Sequence, residues 1–256
     1  MGARSSVNVP RVGMIVSQCE QVVDQCLPKL VAVLGTYEWN FEDAVAALEP
    51  EGFEVVAIRT SAELEEVLKT DSRIEWFFVT HWREIIKPSL LRERNFVGFH
   101  TGMLPRDRGG SPIQHQVMRG QHESEVCAFA LSVEIDAGPV FLRTPINMGV
   151  GNIDEILRNI SKISATMMKR ILLEQPRAIE QKGTPSLNRR RSPKQSEIGW
   201  HESNASLYDF IRILDGASYP KAFIQSGNIR IEFDQAALEG DSVVARAILR
   251  VESDVQ

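Results

Sequence analysis

The sequence predicts an α/β fold in which crossover helices cover a mostly parallel sheet, followed by a small α+β unit. Three observations point to it. Short apolar runs alternate with amphipathic stretches early in the chain, the rhythm of βαβ units. Two histidines, His81 and His100, directly follow such runs. Late in the chain the pattern changes to period-two alternation, in Ile229, Ile231 and Phe233 and again in Val243, Ala245, Ala247 and Leu249.

Residues 1–12 read as a polar leader, and Ile15, Cys19, Val22, Val23 and Cys26 recur at helical spacing until Pro28 stops them. A short buried strand is expected over Leu30–Leu34, and a helix over Phe41–Leu48. A second strand follows over Phe53–Ile58, then a helix capped by Ser61. Trp76–Val79 and Phe96–Phe99 are two further strands, the last ending at His100. Ile113–Arg119 is expected to be helical, and Val126–Val133 and Val140–Arg143 extended, with Asp136 in the turn between them.

The clearest helix opens at Asn152. Glu155 stands three residues on, as in a capping box. Ile153, Ile156, Leu157, Ile160, Ile163, Met167, Met168 and Ile171 form its apolar stripe. The polar, basic stretch 183–195 is the expected linker. The organisation predicted is thus a leader with an extra helix (1–29), a catalytic domain (30–182), the linker, and a small C-terminal subdomain (196–256).

The 256 residues are 43% hydrophobic, enough for a sizeable core. With 34 acidic and 29 basic residues the net charge is -5, which gives no basic excess toward nucleic acid. Arg189, Arg190, Arg191 and Lys194 read as a solvated linker face, with anionic-ligand binding as the second reading. Three cysteines make no disulfide framework and suit a cytoplasmic location. No apolar run is long enough to span a bilayer, and no signal-peptide pattern opens the chain. The opening MGARSS fits the loose myristoylation pattern, which a short motif meets by chance.

The stretch from Phe99 to Leu142 concentrates the chemistry. His100 ends a strand, a turn-rich loop follows over Arg106–Pro112, and Asp136 precedes Ala137-Gly138-Pro139. A His and an Asp together can position and move a proton near neutral pH. Ligands on parallel sheets bind outside the carboxyl ends of the strands. Other schemes fit less well. Ser111 lacks the Gly-x-Ser-x-Gly elbow, and Pro112 removes the backbone N–H that would follow such a nucleophile. There is no Gly-x-Gly-x-x-Gly and no Walker loop. His115 and His122 lack paired metal-ligand spacing, so no metal is expected.

His100, Leu104-Pro105, Arg108-Gly109-Gly110-Ser111-Pro112 and Asp136-Ala137-Gly138 resemble, in order and spacing, the formyltransferase family that uses 10-formyltetrahydrofolate. The chain is more closely similar to the sugar N-formyltransferase branch of nonulosonate and surface-glycan synthesis. That likeness is carried by His81-Trp-Arg-Glu-Ile-Ile-Lys-Pro88, Ser111-Pro-Ile-Gln114, Asp136-Ala-Gly-Pro-Val-Phe141, Ile211-Arg-Ile-Leu-Asp215 and Tyr219-Pro-Lys-Ala-Phe223.

The resemblance implies a Rossmann-like formyltransferase domain. His100 and Asp136 would be catalytic. The family's catalytic Asn falls at Gly98, so its amide donor is replaced by Gln114, by His115 or by backbone N–H groups. Trp82, Ile85, Ile86, Val133, Ile135 and Gly138 are implied as folate-binding, and Met103, Leu104, Arg108, Gly109, Gly110, Ser111 and His115 as acceptor-binding. The implied acceptor is a small amine, first a nucleotide-linked amino sugar. An ornithine-type siderophore precursor or an initiator tRNA are alternatives, as is a non-catalytic folate-binding relative. No nucleic acid or membrane partner is expected, and the C-terminal strands suit a homodimer.

Overall fold

The structure is a computed structural model that describes residues 29–92 and 94–252. The expected leader helix, with Cys19 and Cys26, lies outside the described residues. In chain order come β1 (Lys29–Gly35), α1 (Glu38–Leu48), β2 (Phe53–Ile58), α2 (Ser61–Thr70), β3 (Trp76–Thr80) and β4 (Asn95–Thr101). A two-residue β5 (Arg108–Gly109), α3 (Pro112–Met118), β6 (Glu123–Ala130), β7 (Val140–Asn147) and α4 (Ile153–Glu174) follow. The chain ends with β8 (Leu187–Asn188), α5 (Asn204–Arg212), β9 (Ala222–Ser226), β10 (Ile229–Glu239) and β11 (Ser242–Val251).

The main sheet has the order β2-β1-β3-β4-β6-β7. Its first four strands are parallel, whereas β6 and β7 add antiparallel at one side. The chain leaves β1 for β2 on one side and β3 on the other. The strand order therefore reverses between β1 and β3, and such a reversal opens a crevice at the carboxyl ends.

Helices cover both faces. On one, the α4 stripe of Ile153, Ile156, Leu157, Ile160, Met167, Met168 and Ile171 is buried against the sheet together with Phe41, Ala44 and Leu48 of α1. On the other, Leu64 of α2 packs with Ala32, Leu34, Ile58, Phe77 and Phe96. Each of the Leu, Ile, Met and Phe side chains among them contributes roughly 1.5–3 kcal/mol by burial. The α4 capping box forms as expected: Asn152 Oδ1 accepts the Glu155 N–H and Glu155 Oε2 accepts the Asn152 N–H, both at 3.0 Å.

Other ends differ from expectation. The α1 helix starts at Glu38 because Asn40 Oδ1 accepts the Tyr37 N–H at 3.3 Å. Thr60, not Ser61, caps α2; its hydroxyl oxygen accepts the Glu63 N–H at 3.2 Å. The stretch read as a linker contains β8, which pairs with β5, and a 3-10 turn over Pro193–Ser196. Behind it, α5 packs on the antiparallel sheet β11-β10-β9, of which β9 was not anticipated. Buried Arg212 ties this unit to the main domain: it donates to the Met148 and Gly151 carbonyls and pairs with Asp209 at 2.6 Å.

Candidate active site

The carboxyl ends of β1, β3 and β4 open onto one cleft of about 860 Å³. That volume is at the upper end for small-molecule sites. His100 lies within β4 and is buried. Its Nε2 is 2.7 Å from the Asp107 carbonyl oxygen and its Nδ1 is 3.3 Å from Asp136 Oδ2. The carbonyl can only accept, so Nε2 carries a hydrogen. The contact of this ring with the Asp136 carboxylate is therefore at Nδ1.

The loop after β4 is built to hold that pair. Asp107, at φ 61°, turns its carbonyl to His100, while its own carboxylate accepts from Arg119 Nη2 at 2.7 Å and Asn188 Nδ2 at 3.0 Å. Gly109, at φ 93°, has its hydrogen so close to the Asn188 carbonyl that a Cβ would stand 2.3 Å away. Its N–H donates to Asp136 Oδ2 at 2.8 Å. Asp136 itself is left-handed, at φ 50°, and Gln181 Nε2 bridges the Asp136 and Gly138 carbonyls at 2.8 Å. A non-glycine residue held at positive φ stores strain that the surroundings must offset.

Eleven of the residues implied as functional line this cleft: Trp82, Ile85, Ile86, His100, Gly109, Gly110, Ser111, Gln114, Val133, Ile135 and Asp136. The other five stand elsewhere. Leu104 is buried with Cys127, Phe129 and Val140. Met103 accepts a contact from Arg106 through its sulfur. Arg108 turns to Gln181 and Glu134. His115 Nε2 meets the Arg189 carbonyl oxygen at 2.8 Å. Gly138 fits because a Cβ would stand 1.8 Å from the Ala130 carbonyl oxygen. All five make contacts within the fold rather than being among the lining residues of the cleft.

Gly98 also lines the cleft. A Cβ there would meet Leu131 Cδ2 at 2.6 Å and Phe129 Cζ at 3.0 Å, so hydrocarbon fills the place of the family's amide. Gln114 lines the same cleft. It is buried, yet its Nε2 has no hydrogen-bond partner. An unsatisfied buried donor costs roughly 1–3 kcal/mol and calls for an explanation.

Sequence reasoning passed over several lining residues. Tyr37 follows β1, and Ser218 and Tyr219 come from the C-terminal unit. Arg190 and Arg191, read as a solvated face, line the cleft as well. Burial pushes the Arg191 guanidinium below its ordinary pKa. Burial, with Tyr37 beside it, pushes the Tyr219 hydroxyl up, and the neighbouring Gln114 side chain opposes this. The Tyr219-Pro220 pattern and the run of arginines at 189–191 are the signals for them in the sequence. The rest come from segments too distant in the chain for spacing to connect.

Comparison with known proteins agrees with this architecture. The family model "Methionyl-tRNA formyltransferase, C-terminal domain" matches residues 193–250. Methionyl-tRNA formyltransferase of Chlorobium phaeovibrioides is 30% identical over 145 residues, 54% of this chain and 44% of that protein. This chain spans about half the length of such curated relatives, 44% and 59% in two of them. The solved methionyl-tRNA formyltransferase from Clostridium thermocellum is 30% identical, with a TM-score of 0.81 over 87% of this chain and 99% of that one. A sugar N-formyltransferase from Shewanella sp FDAARGOS_354 shares the fold at 12% identity, with a TM-score of 0.59 over 89% of this chain and 99% of that one. On this fold, and on the likeness to the Clostridium thermocellum protein along nearly its whole length, the chain belongs to the methionyl-tRNA formyltransferase-like formyltransferases.

Proposed function

We propose that this protein transfers a formyl group from 10-formyltetrahydrofolate to the amino group of a nucleotide-linked amino sugar. The observation that supports formyl transfer best is the His100–Asp136 pair, 3.3 Å apart at the carboxyl edge of the sheet, in a cleft large enough for two reactants.

The folate fits the residues present. Ile85, Val133 and Ile135 flank the cleft at 90%, 71% and 61% exposure, a hydrophobic wall suited to a flat heteroaromatic ring. Trp82 Nε1 and Gln114 Nε2 are buried without acceptors beside it. Bound there, the folate would supply the activated formyl carbon.

The chain's own residues have three tasks. The amine must reach the formyl carbon neutral, and the His100–Asp136 pair takes the proton it loses on forming the new C–N bond. The same pair returns a proton to the departing nitrogen as the old C–N bond breaks. Gln114 Nε2 donates to the oxygen on which negative charge develops, the task Gly98 cannot perform. Asp107 and Gly109 hold His100 and Asp136 in place throughout.

The acceptor reading rests on the hydroxyl-bearing wall of Tyr37, Ser218 and Tyr219, with Arg190 and Arg191 for an anionic group. The alternative is methionyl-tRNA, the acceptor in the names of the relatives. Incubation with 10-formyltetrahydrofolate and each acceptor separates the two. Formylation of the amino sugar without formylation of methionyl-tRNA is expected, and the reverse result would reassign the acceptor.

A further inference from the structure

His81 directly follows β3 at the point where the strand order reverses, and it faces the cleft. Its φ is 50°, unusual for a residue with a side chain. Thr36 Oγ1 donates to its carbonyl oxygen at 2.5 Å, which pins the turn. Nδ1 is 3.0 Å from Asn40 Nδ2 and 3.3 Å from Thr80 Oγ1.

The Asn40 amide settles the tautomer. Asn40 is buried; its Oδ1 accepts the Tyr37 N–H, so Nδ2 is the atom that faces His81 and the Ser161 hydroxyl, 3.2 Å away. Nδ2 can only donate, so Nδ1 of His81 must accept and the ring hydrogen sits on Nε2. Nε2 has no hydrogen-bond partner among the described residues. Burial pushes the His81 pKa down to about 4, so the ring is neutral at pH 7. A fixed, uncharged N–H thus stands ready at the switch point of the sheet.

The surroundings say what it meets. The Tyr37 ring lies edge-on to His81, and the Tyr37 hydroxyl joins Ser218 Oγ at 2.7 Å and Arg83 Nη2 at 3.4 Å. Tyr219 lies next to Tyr37. This wall is rich in hydroxyls, whereas the Ile85, Val133 and Ile135 wall is apolar. We propose that His81 is a specificity-determining residue whose Nε2–H donates to a hydroxyl or carbonyl oxygen of a polyhydroxylated acceptor, with Asn40 as its positioning residue. This rests on the formyl-transfer reading and assigns the acceptor side of that site.

The test pairs kinetics with nitrogen NMR. His81→Asn keeps a polar group near Nδ1 only, whereas His81→Gln can place an N–H near Nε2. Loss of one hydrogen bond predicts a roughly tenfold higher acceptor KM for His81→Asn, with the folate KM unchanged and His81→Gln recovering most of the loss. An unchanged acceptor KM in His81→Asn, or a raised folate KM instead, would overturn the assignment. In histidine-labelled wild type, the His81 nitrogen shifts should report the Nε2–H tautomer at pH 7 and move on adding a uridine-diphosphate-linked amino sugar. A protonated Nδ1, or no shift with the sugar, would overturn it even if no formyl transfer were seen. Absence of transfer to every acceptor, with the shift present, would instead count against the function and leave His81 as a binding residue.

Discussion

Asp136 and His100 meet through a single carboxylate oxygen: Oδ2 is 3.3 Å from Nδ1 and also accepts the Gly109 N–H at 2.8 Å. The backbone that shapes the loop and the side chain proposed to handle the proton are therefore aligned by one atom. Asp136→Asn keeps the size of the side chain and removes its charge. Formyl transfer should fall about 10²–10⁴-fold, the range for losing acid–base assistance. Steady-state kinetics alongside circular dichroism would check that activity falls while the fold remains.

Gly98 is enclosed by Leu131 and Phe129. Restoring the family's amide by Gly98→Asn should destabilise the protein by about 1–3 kcal/mol through overpacking. Adding Leu131→Ala should relieve part of that loss. Urea denaturation of both single variants and the double variant gives the coupling. Strict additivity would show that Leu131 is not the obstacle.

Gln114 presents the opposite balance. Its Nε2 is buried without a partner, so stability and activity should diverge. Gln114→Leu should leave stability unchanged or raise it, because an unsatisfied donor is removed. Formyl transfer should fall about 10²–10³-fold, as for loss of an oxyanion donor. Thermal unfolding and turnover measured on the same preparation test both halves.

Much of this architecture is legible from local pattern. The strand over Phe53–Ile58 and the Asn152–Glu155 box need only their own periodicity and capping chemistry, and both stand as expected. His100 and Asp136 could be connected because both sit beside recognisable strands and turns. What escaped depends on distant partners. Two residues of β8 become a strand only because Arg108–Gly109 lies beside them. Arg190 and Arg191 look solvated by composition, yet the return of the chain across the cleft places them in its lining. Tyr37 and Ser218 are hydrogen-bonded at 2.7 Å although far apart in the chain.

The C-terminal unit should respond to acid through Asp234. This buried carboxylate holds Arg246 at 2.7 Å and Lys221 at 3.2 Å. The Arg246 hydrogen bond first, then Lys221, pull its pKa down to about 2 against the effect of burial. A carboxyl depressed on folding stabilises fully above its ordinary value, near 4, and loses that contribution as pH falls toward 2. The stability difference between wild type and Asp234→Asn should therefore be constant above about pH 4 and shrink below it. Chemical denaturation across pH 2–6 would measure it; a difference independent of pH would rule out this linkage.

The central claim is that His100, held by Asp136, serves transfer of a formyl group to an amine. Its most direct test is single-turnover reaction of purified protein with 10-formyltetrahydrofolate carrying a labelled formyl group and a nucleotide-linked amino sugar. The expected result is label on the sugar nitrogen with wild type and a loss of about 10²–10⁴ in rate with His100→Ala. Equal rates for the two proteins, or no label on any amine with wild type, would contradict it.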